Sequence, residues 1–523
     1  MTDDKQAQPR ANLSLVDVSI MVVGIVIGIG IFKTPSLVAN FSSSETMFIG
    51  LWVLGGVITI FGALCYAELG SARPHAGGEY HFLQEAYGPS VALFFAWARC
   101  SVIQPGAIAA VAFVLGDYAN VVIPLGPWGP AIHAVIAILL FTAINYVGTQ
   151  PTKWTQKVLE TLTVLALIGI IIVAFAVATP ATPPAPPREI TMAGAGLAMV
   201  FILLTYGGWN EAAYLSGELE NAKRNMARAL VVGVLIVIAL YVLINFAYLK
   251  VLGLEGLRKS NAVGADMMRI IGGDTGALIL SVVVVVAALT TLNVTIFTGA
   301  RSYYALGRDL FALRRIGTWQ ERGQNPANAL LLQGALALLL VIFGAATRDG
   351  FEAMVAYTAP VFWFFMLLVT ISVAVFRSRE TGGETHYRMP LYPLPPLVLG
   401  AACAWMLYSS LSYAGVGSTI GVLVLLAGAP LLFLRRTSGA SAAGTSALAS
   451  WGAILFVAGL LVAVALLFVI RPADAAGLRC VAFGKEATST CITGAIFYGG
   501  WVLAAGLIVA GSMLAWRGQR RAH

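Results

Sequence analysis

A helix that crosses a bilayer needs about 20 consecutive apolar residues, and this chain carries fourteen such runs. They lie near Leu15–Val38, Thr46–Gly70, Pro89–Leu115, Pro130–Gly148, Val158–Ala178, Met192–Ser216, Ala229–Leu249, Gly276–Ala300, Ala329–Ala346, Phe351–Phe376, Leu394–Ala414, Gly417–Leu434, Trp451–Ile470 and Ala495–Trp516, numbered spans 1 to 14. Lipid offers no partner to backbone N–H and C=O groups, so segments of this length are expected to be helical. The predicted fold class is all-α integral membrane. Composition agrees. Charged residues make up 11% of the chain, against about 25% in soluble domains, too few to coat a water-facing surface. The net charge of +8 comes without a basic stripe of interleaved aromatics, so nucleic acid is not an expected partner. Met1–Asn12 is polar and leads straight into span 1, so no cleavable signal is read there.

Loop charge sets the expected orientation. With the N-terminus inside, the inner segments hold 21 of the 32 basic residues, the outer segments hold 10, and Arg99 lies within span 3. Both termini are therefore expected on the cytoplasmic face. Thr179–Pro187 is a Pro-rich outer spacer. Thr437–Ser450 is rich in Ser, Ala and Gly and sets the last two spans apart. The expected division is a tail (1–13), a core of ten spans (14–376), spans 11 and 12 (377–436), a linker (437–450) and a two-span appendage (451–523).

Polar cargo needs polar partners at mid-depth, and unwound backbone supplies them where it lines a cavity. Gly-interrupted spans at matching places in two halves are the pointer. Span 1 carries Gly24-Ile25-Val26-Ile27-Gly28-Ile29-Gly30-Ile31-Phe32, and span 6 carries Thr205-Tyr206-Gly207-Gly208-Trp209-Asn210-Glu211. Each opens a block of five spans. Five is odd, so the blocks have opposite orientation and form an inverted repeat. A half-helix N-terminus offers free N–H groups to a carboxylate. A half-helix C-terminus offers carbonyls to an ammonium. A zwitterionic amino acid matches both. The competing reading is that these glycines serve close helix packing.

Gly28-Ile29-Gly30-Ile31-Phe32-Lys33-Thr34-Pro35 resembles the G-S-G-I-F-x-x-P signature of the amino acid–polyamine–organocation (APC) superfamily. Tyr66-Ala67-Glu68-Leu69-Gly70 with Gly77-Gly78-Glu79-Tyr80 is similar to its second-span motif. Tyr206-Gly207-Gly208-Trp209-Asn210 with Asn221-Ala222-Lys223-Arg224-Asn225 resembles span 6 of the L-type amino acid transporter branch, and Arg301–Asp309 resembles the segment after span 8. The resemblance covers about residues 12–435 and implies a LeuT-type five-plus-five repeat that carries amino acids by alternating access. It places the substrate carboxylate on the N–H groups near Gly28, Ile29, Gly30 and Ile31. It places the ammonium on carbonyls near Val26, Leu204 and Gly207, with Tyr206, Gly208, Trp209 and Asn210 around it. The family's Ser between the span 1 glycines is Ile29 here. The family's aromatic gate position holds Leu204, so either a smaller gate leaves the substrate less occluded or Tyr206 or Trp209 serves instead.

Ionisable residues inside spans are functional candidates: Glu211 after the span 6 break, Glu160 in span 5 and Arg99 in span 3. Glu68, Glu218 and Arg301 lie near cytoplasmic ends, where interfacial pairing is the simpler reading. The coupling ion is sodium or a proton, or there is none. The family's span 5 Lys position holds Thr163, and Ala287, Thr290 and Thr291 of span 8 resemble a sodium-site run completed by carbonyls near Gly24 and Ile27. Back-bonding of those Thr hydroxyls to their own helix is the alternative. No cofactor is expected, and scattered histidines with no metal cluster argue against an embedded enzyme. Neutral amino acids are the favoured cargo. Cationic amino acids or polyamines come second, and a receptor that binds without transporting is a distant third.

Cys480 and Cys491 share an outer loop and are expected to form a disulfide worth about 3 kcal/mol by loop closure. Alkylation and mass spectrometry of protein purified without reductant should find neither thiol free. Free thiols at both positions would refute the bond.

Overall fold

The structure, a computed structural model, describes residues 19–428 apart from 20, 21, 25, 76, 149–152, 178–188, 212–221, 310–312, 321–324, 348, 380–385 and 414. Spans 13 and 14 and the Cys480/Cys491 pair lie outside the described residues, as does the side chain of Glu160. Regular structure among the described residues is helical, apart from a single bridge between Gln320 and Asn325. Eight helices are each long and apolar enough to cross a membrane. They are Glu45–Ala72, Pro89–Val122, Gly129–Val147, Asn225–Lys259, Val263–Arg308, Ala327–Ala345, Gly350–Arg377 and Leu394–Ser412, and they occupy the predicted spans 2, 3, 4, 7, 8, 9, 10 and 11. Span 1 is a broken pair, Val22–Phe32 and Thr34–Asn40, bent by 58°. Shorter apolar helices Thr161–Val177, Met192–Thr205 and Gly417–Leu426 fall in spans 5, 6 and 12.

Local chemistry fixes several ends. Ser44 Oγ accepts from Met47 N at 3.2 Å and Thr191 Oγ1 from Gly194 N at 3.1 Å, capping spans 2 and 6. Asp349 Oδ1 accepts from Glu352 N at 3.0 Å and caps span 10. In span 3, Arg99–Ile103 is a π-helical turn. It frees two carbonyls that a regular helix would hold. Tyr303 of span 8 donates to Cys100 O, and Tyr357 of span 10 donates to Ser101 O at 2.9 Å.

Three short helical segments sit outside the predicted spans. Gly78–Tyr87 lies between spans 2 and 3. Kinks at Gly253 (φ 64) and Gly273 (φ 65) set off segments 254–259 and 263–272 between spans 7 and 8. This outer pair seats on the end of span 1. Arg258 Nε donates to Ala39 O at 3.0 Å and its Nη2 to Ser42 O at 2.7 Å, while Ser36 Oγ donates to Ser260 O at 2.7 Å. A cation on the last carbonyls of a helix satisfies groups the helix itself leaves open.

Close contacts join span 2 to span 6. A Cβ at Gly62 would lie 2.5 Å from the Trp209 ring, so no other residue leaves that ring its place.

Candidate functional site

The two breaks meet at the centre of the bundle. In span 1, Gly28 is extended (φ −94, ψ −179) and starts a short 3-10 turn, Ile29–Phe32. The first N–H groups of such a turn have no partner within it. In span 6 the helix stops at Thr205, and Gly208 takes φ +104, a conformation that L side chains rarely adopt. Thr205 Oγ1 donates to Thr34 Oγ1 at 2.8 Å and links the breaks directly. A Cβ at Gly30 would touch Thr205 at 3.4 Å, whereas at Gly28 it would meet only Val26 O, at 3.9 Å. The open space along span 1 is therefore at Gly28.

The other predicted residues distribute unevenly. Ile29 and Ile31 are buried beside the break. The Val26 carbonyl accepts from Tyr241 Oη at 2.9 Å and from Gly28 N at 2.7 Å, so its lone pairs already have donors. The Leu204 carbonyl accepts from Gly207 N at 3.1 Å. Tyr206 and Trp209 turn toward span 2. Tyr206 donates to Trp52 O at 3.2 Å and packs on Trp52 and Tyr241, and Trp209 packs edge-on against Tyr66. Trp209 also lines the narrow cleft beside Gly207 and Asn210. Asn210 lies past the break and bonds elsewhere, as described below.

The sodium candidates also show their own partners. Thr290 Oγ1 donates to Val286 O at 3.0 Å and Thr291 Oγ1 to Ala287 O at 3.1 Å. These are back-bonds within span 8. Gly24 is helical and half-buried, the Ile27 N–H donates to Val23 O, and Thr163 is buried on span 5.

Charge closes both ends. On the face assigned to the outside, Lys33 Nζ lies 2.9 Å from Asp117 of span 3 and 2.8 Å from Asp349 at the start of span 10. Asp349 serves twice, with Oδ1 on the span 10 cap and Oδ2 on Lys33. On the opposite face Arg377 binds both oxygens of Glu68 at 2.6 Å, and Met389 N adds a third bond at 2.7 Å. Glu68 is thus the paired residue that its place at a span end suggested. Beside it, Glu79 Oε1 accepts from Tyr66 Oη at 2.6 Å and from Asn210 Nδ2 at 3.2 Å. Arg99 lies 3.7 Å from Glu79 Oε2 and 3.3 Å from Glu211. Burial pushes the Glu79 carboxyl above its usual range, opposed by Arg99 and reinforced by Glu211.

Sequence reading singled out Arg99 and Glu211 but not Lys33, Asp117, Asp349 or Glu79 as site residues. Lys33 falls inside span 1 as read from the sequence. The available signal was its position, one residue past an apolar turn with no water to receive it.

A bundle with two helices broken at one depth, and closed by charge at each end, defines a membrane carrier. A family model for amino acid permeases matches residues 13–429, and the chain belongs to that family. It is 28% identical over 447 residues to the b(0,+)-type amino acid transporter 1 of Rattus norvegicus, covering 83% of this chain and 89% of the relative. It is 26% identical over 430 residues to the serine/threonine exchanger SteT of Bacillus subtilis, covering 80% and 96%. It is 25% identical over 440 residues to the Asc-type amino acid transporter 1 of Mus musculus, covering 81% of each. The protein is an amino acid transporter of the APC superfamily with an all-α, LeuT-type core.

Two outcomes follow from the site. Gly28→Leu should insert normally, since only Val26 O lies near its Cβ, yet slow uptake at least about tenfold by filling the opening. Wild-type uptake would move the passage elsewhere. Lys33→Met strips a buried cluster of its cation, a loss of about 3–5 kcal/mol. A membrane-impermeant maleimide added outside should then label Thr34→Cys at least about tenfold faster than with Lys33 intact. Equal rates would mean that other contacts hold the outer end.

Proposed function

We propose that the chain moves neutral amino acids across a bacterial inner membrane by alternating access, as a permease or exchanger, with both termini in the cytoplasm. The observation that carries this reading is the meeting of the two breaks at Gly30, Thr34 and Thr205. The carboxylate pairs with the open N–H groups of Ile29 and Gly30. The ammonium goes to span 6 carbonyls rather than to Val26, whose oxygen Tyr241 already occupies. Neutral cargo is supported by the lining. Ile29, Gly30, Leu204 and Thr205 present no fixed charge, and Glu79 and Glu211 face Arg99. One relative is a serine/threonine exchanger, in keeping with small neutral substrates. Cationic cargo is the second reading, favoured by Glu211, whose side chain keeps 42% of its exposure. No enzymatic step is assigned.

Counterflow in proteoliposomes tests the proposal. Vesicles loaded with unlabelled serine, alanine or leucine should accumulate the labelled amino acid transiently, and vesicles loaded with arginine or putrescine should not. Counterflow driven by arginine or putrescine alone would replace neutral cargo with cationic. Saturable binding without flux would make the protein a receptor.

A further inference from the structure

Glu79 is the polar group in this bundle whose chemistry a structural role does not explain. Its side chain is 7% exposed. Four elements converge on it: Tyr66 of span 2, its own helix Gly78–Tyr87, Arg99 in the π turn of span 3, and Asn210 beyond the span 6 break. Where the bundle needs only a buried tie, it uses neutral amides. Gln104 Nε2 donates to Thr295 O at 2.9 Å and Gln333 Nε2 to Ile296 O at 2.9 Å. An amide at position 79 would accept the same two bonds at Oε1 without the cost of burying a charge. Glu68 shows a structural carboxylate at the same end of the bundle, with three donors shared between its oxygens. Glu79 differs, because no described residue donates a hydrogen bond to Oε2 and Arg99 lies 3.7 Å from it. A narrow cleft lined by Thr59, Gly207, Asn210 and Met366 reaches Asn210 and Met366, the two residues through which spans 6 and 10 touch this network.

We propose that Glu79 is the coupling-proton site, so that each amino acid enters with one proton carried on Glu79 Oε2. The proposal rests on the carrier reading above. The proton reaches Oε2 from outer water by way of the central cleft that ends on Asn210, while the site faces outward, and leaves to inner water once the inner end opens. Nothing is oxidised or reduced. Ionised, Glu79 attracts Arg99 and accepts strongly from Tyr66 and Asn210. Asn210 Oδ1 in turn receives Gly208 N at 3.3 Å, so the carboxylate holds the span 6 break against spans 2 and 3. Protonated, it loses its pull on Arg99 and becomes a weaker acceptor at Oε1. The segment after the break is then freed and the inner end opens. The titratable and charged groups facing Glu79 are Arg99 from span 3, Glu211 from span 6 and Tyr66 from span 2. Span 10 contributes only the Met366 sulfur, through Tyr66. On its own helix, His81 and Glu85 turn to each other at 3.0 Å.

The test uses the full chain in proteoliposomes, with choline replacing sodium throughout. Serine uptake and the lumenal signal of a trapped pH dye are followed together. An outside pH one unit below the lumen should raise serine accumulation by up to about tenfold, and uptake should acidify the lumen. In Glu79→Gln, serine counterflow should continue while the acid stimulation and the lumenal acidification disappear, and Glu79→Asp should restore them. Counterflow in wild type with no response to the gradient would overturn the proton site and leave the carrier intact. Acidification persisting in Glu79→Gln would also overturn it. Absence of wild-type counterflow would overturn both readings.

Discussion

In a hydrocarbon medium a backbone N–H or C=O left unpaired costs several kcal/mol, and this structure is organised around the two places where that rule is relaxed. Spans 1 and 6 each give up helical bonding for a few residues at the same depth. They can do so because protein, not lipid, surrounds them. Spans 2, 6 and 7 present Trp52, Tyr206 and Tyr241 as a buried aromatic wall, and Tyr241 gives its hydroxyl to one of the released carbonyls, Val26 O. The N–H groups of Ile29 and Gly30, which receive no carbonyl of their own short turn, are the ones the proposed carboxylate contact uses. Binding capacity here is backbone polarity that the fold has not consumed.

The inventory of spans, and the two glycine breaks, were legible in the sequence because each rests on a local rule. Apolar runs of helical length must be helices in lipid, and Gly-Ile-Gly and Gly-Gly interrupt them. The closing clusters were not legible, because their members lie far apart in the chain. Lys33 pairs with Asp117 and Asp349, and Glu68 with Arg377, and no spacing rule connects residues so distant. Asp117 fell just past the predicted end of span 3, where it read as an outer-loop residue. The side-chain directions of Tyr206 and Trp209 were hidden for a related reason. Once the helix unwinds, the 3.6-residue period that tells which face a residue occupies no longer holds. The π turn at Arg99–Ile103 had a visible trace, a charged residue inside an apolar run, but its function of freeing two carbonyls for Tyr303 and Tyr357 depends on distant hydroxyls.

The forces that hold the bundle differ by location, and the difference bears on motion. Spans 2, 6 and 7 contact through glycines, with Gly55 against Ile202, Gly62 against Trp209 and Gly56 against Ile238. Spans 3, 4, 8 and 9 are joined by Gly116 against Pro130, Gly334 against Thr142 and the neutral Gln104 and Gln333 ties. Such contacts forfeit about a quarter to a half of their attraction over a gap of about 0.5–1 Å, which favours each group staying together. Ionic ties join these groups to each other and to spans 1 and 10: Arg99 of span 3 to span 6, Lys33 of span 1 to spans 3 and 10, and Glu68 of span 2 to Arg377 of span 10. An ion pair that separates into a water-filled gap exchanges its partner for hydration, because the rising local dielectric restores to each charge what burial removed. A separated glycine contact recovers nothing comparable. Charge at the seams and close apolar contact within the bodies therefore lets either end open without loosening the parts that move.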